Sequence, residues 1–156
     1  MGYTHYWYRE KTIPKAKFDK IYADVSEMLT WANGSDSGWA HLAGGDGKGK
    51  PVITRAHIIF NGRGSDSHET FYFPRVVPAD EYRPSISNGK HFDFCKTAGK
   101  LYDEAVCTCL IIIKHYLGKA VKISSDGKIN EGDWPLAIWL CEQLFGYGAD
   151  FRLDEQ

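Results

Sequence analysis

A few histidine, carboxylate, hydroxyl and lysine side chains of this sequence could bind or react with a ligand. His5 lies in the middle of a predicted strand, between aromatic residues. Histidine is the side chain best suited to proton transfer near neutral pH. Asp103, Asp126 and Glu69 are carboxylates that could orient it. His5, Asp103 and Asp126 are therefore the candidate catalytic residues, and a buried, hydrogen-bonded histidine is the ordinary structural alternative.

A second candidate region is the segment FCKTAGK at 94–100, which precedes a predicted helix. It brings two lysines, a hydroxyl and a glycine to a helix start, where free N–H groups and the helix dipole favour an anion. Thr97 is predicted to cap this helix. Lys96 and Thr97 are thus predicted to hold a phosphate, although an ordinary helix cap is an alternative.

The turn that follows a predicted strand near residue 124 offers further polar groups. Its sequence, SSDG, has residue types that favour a turn, and turns after strands often carry binding residues. Ser125 and Asp126 are therefore added to the predicted ligand-binding residues.

Aromatic residues alternate along the first predicted strand. Tyr3, His5 and Trp7 share one face of it, and Thr4 and Tyr6 lie on the other. If the first face is open, its rings form a stacking platform, to which Tyr72 could add. Aromatic sheet faces bind bases in RNA-recognition domains, but the basic segment of those domains is absent here.

Three familiar sites are disfavoured by their context. The loop GGDGKGK at 44–50 resembles a phosphate-binding loop, but Pro51 replaces the hydroxyl residue and a strand follows instead of a helix. Cys95 could be a nucleophile beside Lys96, yet a cysteine is more often inert packing. The histidines and cysteines show no zinc-binding spacing, so neither a metal nor another cofactor is expected.

Composition places further limits on function. The 156 residues carry a net charge of −1 from 19 basic and 20 acidic side chains, which argues against stable nucleic-acid binding. No signal peptide or membrane-length apolar run is visible. The four cysteines show no disulfide framework, so a cytoplasmic protein is expected.

Periodicity predicts the elements and one domain spanning 1–156. Strands are expected at 2–8, 52–60, 69–73, 91–95 and 121–124, and helices at about 15–32, from Thr97 to Gly118, and from Asp133 to Gly146. A flexible glycine-rich loop at 33–50 and an irregular connection at 74–90 are also expected. The order β-α-β-β-α-β plus a C-terminal helix predicts an α+β fold of ferredoxin-like order, with helices on one face of an antiparallel sheet.

Several of these segments together resemble a family of small uncharacterised proteins of tailed phages and bacteria. The similarity rests on MGYTHYW at 1–7, FNG at 60–62, ETF at 69–71, FCKTA at 94–98, YD at 102–103 and SSDG at 124–127. No activity of that family supplies a mechanism. A phage origin would imply the host cytoplasm and would favour a counter-defence role against a nucleotide immune signal.

Three functions remain open at this stage. The leading one is binding of a small anionic, nucleotide-like ligand through Tyr3, His5, Trp7, Glu69, Tyr72, Lys96, Thr97, Asp103, Ser125 and Asp126. The second is a small hydrolase or phosphodiesterase with His5 as general base. The third is a protein-partner inhibitor that docks through aromatic residues and the 33–50 loop. No membrane partner is expected, and a homo-oligomer is the default assumption.

Overall fold

The described part of the chain forms three α-helices and two small antiparallel sheets, so the predicted α+β class is confirmed. The computed structural model describes residues 3–32 and 38–155. Its elements are β1 (Thr4–Arg9), α1 (Lys15–Ala32), β2 (Val52–Ile53), β3 (His57–Phe60), β4 (Phe71–Pro74), β5 (His91–Lys96), α2 (Asp103–Leu117), β6 (Val121–Ser125) and α3 (Trp134–Phe145).

The strands form two sheets, where the ferredoxin-like order predicts one. The first sheet has the order β5-β1-β6, with His5 opposite both Cys95 and Ser125. The second sheet has the order β2-β3-β4. Because β1 is the central strand of the first sheet, the ends of β5 and β6 lie on either side of its N-terminal half.

The strand predicted at 52–60 is a hairpin of two short strands. Thr54 interrupts it, because its hydroxyl accepts the backbone N–H groups of Ala56 and His57, both at 3.1 Å. The chain then turns back so that Val52 pairs with Ile59. A threonine side chain that bonds to nearby backbone N–H groups competes with strand pairing. Here this local bonding ends the strand at Ile53.

The core lies between the two sheets and α2. Trp7 points inward from β1 and meets Phe71 and Phe73 of β4, with ring centroids 5.5 and 6.3 Å apart. Nearly every residue of α2 is buried, which explains its apolar sequence from Cys109 to Ile113. The opposite face of the first sheet carries mostly exposed or half-buried side chains, with Thr4 and Ser124 the buried exceptions, so the helices pack on one face of that sheet.

Helix α2 begins six residues later than predicted. Thr97 does not cap it, because the backbone N–H of Thr97 donates to Tyr3 O and its hydroxyl donates to Asp103. Residues 97–102 form turns, with Ala98 and Gly99 both at positive φ. Asp103 and Glu104 then occupy the first turn of α2. The chain's own carboxylates therefore fill the end of the helix that was predicted to hold a phosphate.

Other predicted boundaries are confirmed. Helix α1 ends at Ala32, α2 is followed by Gly118, and α3 follows Asp133 and is capped by Gly146 in the left-handed conformation. After Pro74, which ends β4, the connection to residue 90 contains only turns, bends and isolated bridges.

Part of the loop predicted at 33–50 is well packed. Residues 33–37 lie outside the described residues. Beyond them, Trp39 and Leu42 are buried in the core, and Gly45 O accepts hydrogen bonds from Asn61 and Thr70. This second part is therefore held against the β3–β4 sheet. Among the described residues, no helix has both the length and the hydropathy needed to span a membrane.

Candidate functional site

His5 is the centre of a buried cluster of polar side chains. Its Nε2 atom lies 2.7 Å from Asp103 Oδ1 and 3.6 Å from Cys107 Sγ. Thr97 Oγ1 donates to the same carboxylate oxygen, and Cys107 Sγ donates to Asp103 Oδ2 at 3.5 Å. Strand β1 supplies the histidine and the first two turns of α2 supply the carboxylate and the thiol. The histidine, aspartate and cysteine are at most 1% exposed, so solvent does not reach them.

Ser125 holds the other nitrogen of the His5 ring. Its Oγ lies 2.9 Å from His5 Nδ1 and accepts the backbone N–H of Gly127 and the indole N–H of Trp134. With those two donors present, the serine hydroxyl is left to donate to His5 Nδ1. His5 Nε2 then carries the hydrogen that is donated to Asp103. The imidazole is thereby fixed at both nitrogens.

Tyr3 covers this cluster from the start of the chain. A Cβ atom added at Gly127 would lie 2.1 Å from the Tyr3 hydroxyl oxygen, and one at Gly132 would lie 2.8 Å from it. The two glycines therefore make room for the phenol. Burial raises the pKa of Tyr3 to about 12, helped by the negative charge of Asp103.

The cluster holds several acids close together. Burial alone would raise the pKa of Asp103, but hydrogen bonds from His5, Thr97 and Cys107 and the charge of His5 hold it below its usual value. Burial, followed by the charge of Asp103 and a hydrogen bond to it, raises the pKa of Asp133 to about 7. Glu104 is also buried and adds to this effect. Burial and the two aspartates raise the pKa of the Cys107 thiol well above its usual value.

The stacking platform predicted from Tyr3, His5 and Trp7 faces the interior. Trp7 is 1% exposed and packs in the core, so its ring is not free to stack on a ligand. That prediction needs correction, because the apolar surface of α2 and the second sheet cover this face of β1. The alternating sequence pattern alone does not say which face of the strand meets the core.

The open face of the first sheet carries a different row of rings. Tyr6 and Tyr8 of β1 lie beside Phe92 of β5, with ring centroids 6.2 and 4.9 Å apart, and Phe94 continues the row 6.0 Å from Phe92. Phe94 is 47% exposed. Lys96 follows it on the same face of β5. These rings form what is here called the open-face platform.

A groove of about 510 Å³ borders this platform along the edge of β5. Phe92 and Phe94 form one wall, and Tyr72, Glu81 and Arg83 are among the residues that line the rest. The predicted ligand residue Tyr72 thus lies in a groove, with its hydroxyl 3.4 Å from Glu81 Oε2. A groove of this size is within the range of small-molecule sites.

Two titratable groups of β5 also line the groove. Burial raises the pKa of Asp93 to about 6, although its Oδ1 accepts the backbone N–H of Phe94 at 2.8 Å. Burial, with the nearby charges of Arg9 and Arg83, lowers the pKa of His91. The groove therefore offers a polar floor beside aromatic walls.

The remaining predicted residues have structural partners. Glu69 Oε1 accepts the backbone N–H of Lys96 at 2.7 Å, which joins the start of β4 to the end of β5. Asp126 accepts the Tyr6 hydroxyl at 2.9 Å and the backbone N–H of Thr4 at 3.1 Å. Asp126 therefore lies at the edge of the open-face platform, separate from the His5 cluster.

Cys95 does not have the surroundings of a nucleophile. It is fully buried, and burial followed by the charge of Glu69 raises the pKa of its thiol. This is the opposite of the lowered pKa expected from Lys96 and a helix start, because the helix begins elsewhere. All four cysteines are buried and none forms a disulfide.

Sequence reasoning brought together part of the site and missed the rest. His5, Thr97, Asp103 and Ser125 were all predicted, and they do converge. Cys107 was not named, although it follows Asp103 by four residues on a predicted helix and so shares its face. Phe92, Asp93 and Phe94 were also missed. The alternation of β5 would have placed Phe92 and Phe94 on the same face as Lys96.

Comparisons of the chain with protein-family models, with curated proteins and with solved structures gave no match. The resemblance to small phage and bacterial proteins stays a prediction. The functional argument therefore rests on the geometry of the two sites described above.

Proposed function

We propose that this protein binds a small nucleotide-like ligand on the open-face platform and in the adjoining groove. The observation that carries the proposal is the continuous row of aromatic rings that ends on the half-exposed Phe94 and borders a polar groove. An exposed phenylalanine beside Lys96 suits a flat base that is joined to a phosphate.

Each part of the ligand has a counterpart among the residues of this region. The base would stack on Phe94 and Phe92, and the phosphate would lie against Lys96. Arg83, Tyr72 and Asp93 would meet the polar edge of the base or its sugar hydroxyls. Lys96 keeps the role expected from the sequence, and Tyr72 changes from a stacking ring to a polar contact. Phe92 and Phe94 replace Tyr3 and Trp7 as the stacking rings.

Binding is favoured over hydrolysis because the candidate general base is closed off. His5 is fully buried, and the Ser125 hydroxyl occupies Nδ1, the nitrogen that would accept a proton. A substrate on the open-face platform would lie on the opposite side of β1 from this histidine. If the chain is encoded by a phage, as its resemblance implies, such binding would sequester a nucleotide signal of the host.

The first test is a nucleotide panel that is followed by calorimetry on the ligand that binds. Linear and cyclic mononucleotides and dinucleotides are incubated with the protein, and bound and heat-released material is identified by mass. We expect a ligand that is retained and released intact. Release of a converted product, or no retention of any member of the panel, would contradict the proposal.

Phe94→Ala is the matching variant. Loss of base stacking should weaken affinity by about tenfold or more, since stacking on an aromatic ring contributes roughly 1–3 kcal/mol per base. Leu101→Ala is the control, because Leu101 is also 47% exposed but lies in the turns before α2. It should leave affinity unchanged. Equal affinity of Phe94→Ala and the wild type would contradict the placement of the base.

Lys96→Ala tests the phosphate position. The variant should weaken binding of a nucleotide but leave binding of the corresponding nucleoside unchanged, because only the nucleotide carries the phosphate. Thermal unfolding should change little, since the contacts of Lys96 with Glu69 use backbone atoms of the lysine. An equal loss of affinity for nucleotide and nucleoside would place the phosphate elsewhere.

A second candidate function is docking onto another protein chain, and the observation in its favour is a pair of exposed tryptophans. Trp31 of α1 is 48% exposed and Trp139 of α3 is 53% exposed, and both line a groove with Leu140 and Leu144. The groove has no charged lining residue, so it requires no charge-complementary partner. A second copy of this chain is the occupant we propose, which accords with the homo-oligomer expected by default.

A further inference from the structure

The His5 cluster contains three different metal-binding atoms in close contact. One ligand atom each from His5, Asp103 and Cys107 lies within 4.8 Å of the other two, and all three residues are buried. They come from positions that are separated by up to 102 residues in the chain. The packing of β1 against α2 therefore brings together metal-binding atoms that no local sequence motif predicts.

The distances in this set resemble those around zinc. With Zn–S near 2.3 Å and Zn–N or Zn–O near 2.0 Å, tetrahedral angles separate sulfur from nitrogen or oxygen by roughly 3.5 Å. Cys107 Sγ lies 3.6 Å from His5 Nε2 and 3.5 Å from Asp103 Oδ2. The 2.7 Å contact of His5 with Asp103 Oδ1 is a hydrogen bond, and it would lengthen when an ion enters.

The charges around the cluster also favour a cation. Asp103 and Glu104 are buried, and the half-buried Asp133 is hydrogen-bonded to Asp103. His5 pairs with Asp103, and this one pairing serves a group of three neighbouring carboxylates. Buried carboxylates without a counter-charge are costly, and coordination of a metal ion is one of the two usual ways to stabilise them.

We propose that His5 Nε2, Asp103 and Cys107 Sγ bind a divalent transition metal ion, with zinc the favoured ion. Imidazole, thiolate and carboxylate together are ligands that suit zinc better than magnesium or calcium. Asp133 interacts with Asp103 but lies outside the set of three, so it would have to move closer to act as a fourth donor. Because the ligands are closed to solvent, the ion is structural: it joins the start of β1 to the start of α2.

The surroundings can accommodate the required change of protonation. The Cys107 thiol loses its proton to solvent when the sulfur binds the ion. His5 must present a lone pair at Nε2, so its ring hydrogen moves to Nδ1 and is donated to Ser125 Oγ, which lies 2.9 Å away. The serine hydroxyl then turns its own hydrogen away from the ring and gives up the long 3.4 Å bond from the Trp134 indole N–H. A hydrogen bond from the second nitrogen of a histidine ligand is the usual support of such sites. Tyr3, which also borders the cluster, closes it toward the chain terminus.

The first experiment measures metal in the purified full-length chain. Protein made in zinc-supplemented medium is gel-filtered into metal-free buffer, and its zinc content is determined by elemental mass spectrometry. We expect close to one zinc per chain. After removal of zinc with a chelator under mild denaturation, refolding with cobalt(II) should give an intense thiolate-to-cobalt charge-transfer band in the near ultraviolet. Absence of both the zinc and the band would overturn the proposal.

Cys107→Ser and Cys109→Ser form the matched pair. Both cysteines are buried on α2, but Cys109 lies near Cys141 and outside the cluster. Cys107→Ser should lose the charge-transfer band and most of the zinc, whereas Cys109→Ser should keep both. If the two variants retain equal zinc and equal bands, the ion is bound elsewhere, at surface histidines for example, and the proposal fails.

A third readout does not depend on the variants being well folded. Wild-type protein should unfold at a lower temperature in the presence of a zinc chelator, because an ion that binds only the folded state stabilises it. An unchanged unfolding temperature together with metal-free protein would contradict the site. Nucleotide binding on the open-face platform is measured separately, so either proposal can fail while the other stands.

Discussion

At the scale of single residues, the surroundings of a side chain decided its role more than its chemical type. Two aspartates illustrate this. Asp103 is held by hydrogen bonds from His5, Thr97 and Cys107, which lower its pKa against the effect of burial. Asp93 has one hydrogen bond from a backbone N–H, and burial raises its pKa to about 6. The same type of side chain therefore has a lowered pKa at position 103 and a raised pKa at position 93.

Asp93→Asn should make the protein more stable at neutral pH. The folded-state pKa of about 6 lies above the ordinary 3.8, so ionising Asp93 costs stability as the pH rises through this window. Below pH 3.8 the carboxyl is neutral in both states and the variant should match the wild type. Above pH 6 the variant should gain about 1–2 kcal/mol, after allowance for partial solvent screening. Asparagine keeps an oxygen for the N–H of Phe94.

Urea unfolding at several pH values between 3.5 and 8 measures this difference. Asp80→Asn, which changes an exposed aspartate of the 74–90 connection, controls for the loss of one negative charge. A variant that is less stable than the wild type at pH 7.5 would show that attraction between Asp93 and Arg9 outweighs the cost of burial.

At the scale of elements, the segment between β5 and α2 has the least regular backbone near the His5 cluster. Residues 97–102 turn the chain before α2 begins, and Ala98 has a φ of +55°. That conformation is unfavourable for a residue with a Cβ atom and ordinary for glycine. The turn places Asp103 opposite His5, so its backbone strain is tied to the geometry of the cluster.

Ala98→Gly should therefore stabilise the protein, by about 0.5–1 kcal/mol, because it relieves the left-handed strain at little packing cost. Ala23→Gly, at an exposed position within α1, is the control with opposite sign and should destabilise by roughly 1 kcal/mol. Thermal or urea unfolding of both variants gives the comparison. Destabilisation by Ala98→Gly would mean that the alanine methyl group makes contacts that outweigh the strain.

At the scale of the whole molecule, exposed aromatic side chains adjoin a groove in two places. One is the open-face platform that ends on Phe94, and the other is the pair Trp31 and Trp139 between α1 and α3. The first adjoins a polar groove, as ligand sites do, and the second is bordered by leucines, as protein interfaces often are. The two proposed contact surfaces therefore lie on different elements.

Trp139→Lys should keep the chain monomeric if this apolar groove joins two copies. A charged group in the middle of a self-associating apolar surface is desolvated without a partner. Sedimentation velocity of the wild type should show a concentration-dependent dimer, and the variant should sediment as a monomer. Leu136→Lys, at a second exposed position of α3 that does not line the groove, is the control. A monomeric wild type at high concentration would contradict the proposed interface.

The sequence by itself determined the features that depend on neighbouring residues. The ends of α1 at Ala32, of α2 at Gly118 and of α3 at Gly146 follow from local signals, and all three ends are confirmed. The α+β class followed from the order of periodic segments. Candidate polar residues could also be named, since His5, Thr97, Asp103 and Ser125 were selected by type and by position in predicted elements.

Only the tertiary structure decided which face of β1 is buried, where α2 begins and that the strands form two sheets. These outcomes depend on contacts between distant segments: α2 covers one side of β1, and Thr97 bonds to Tyr3 and Asp103 instead of capping a helix. A two-residue period marks both faces of a strand without saying which meets the core. The same long-range packing brought Cys107 to His5 and Phe94 to the surface.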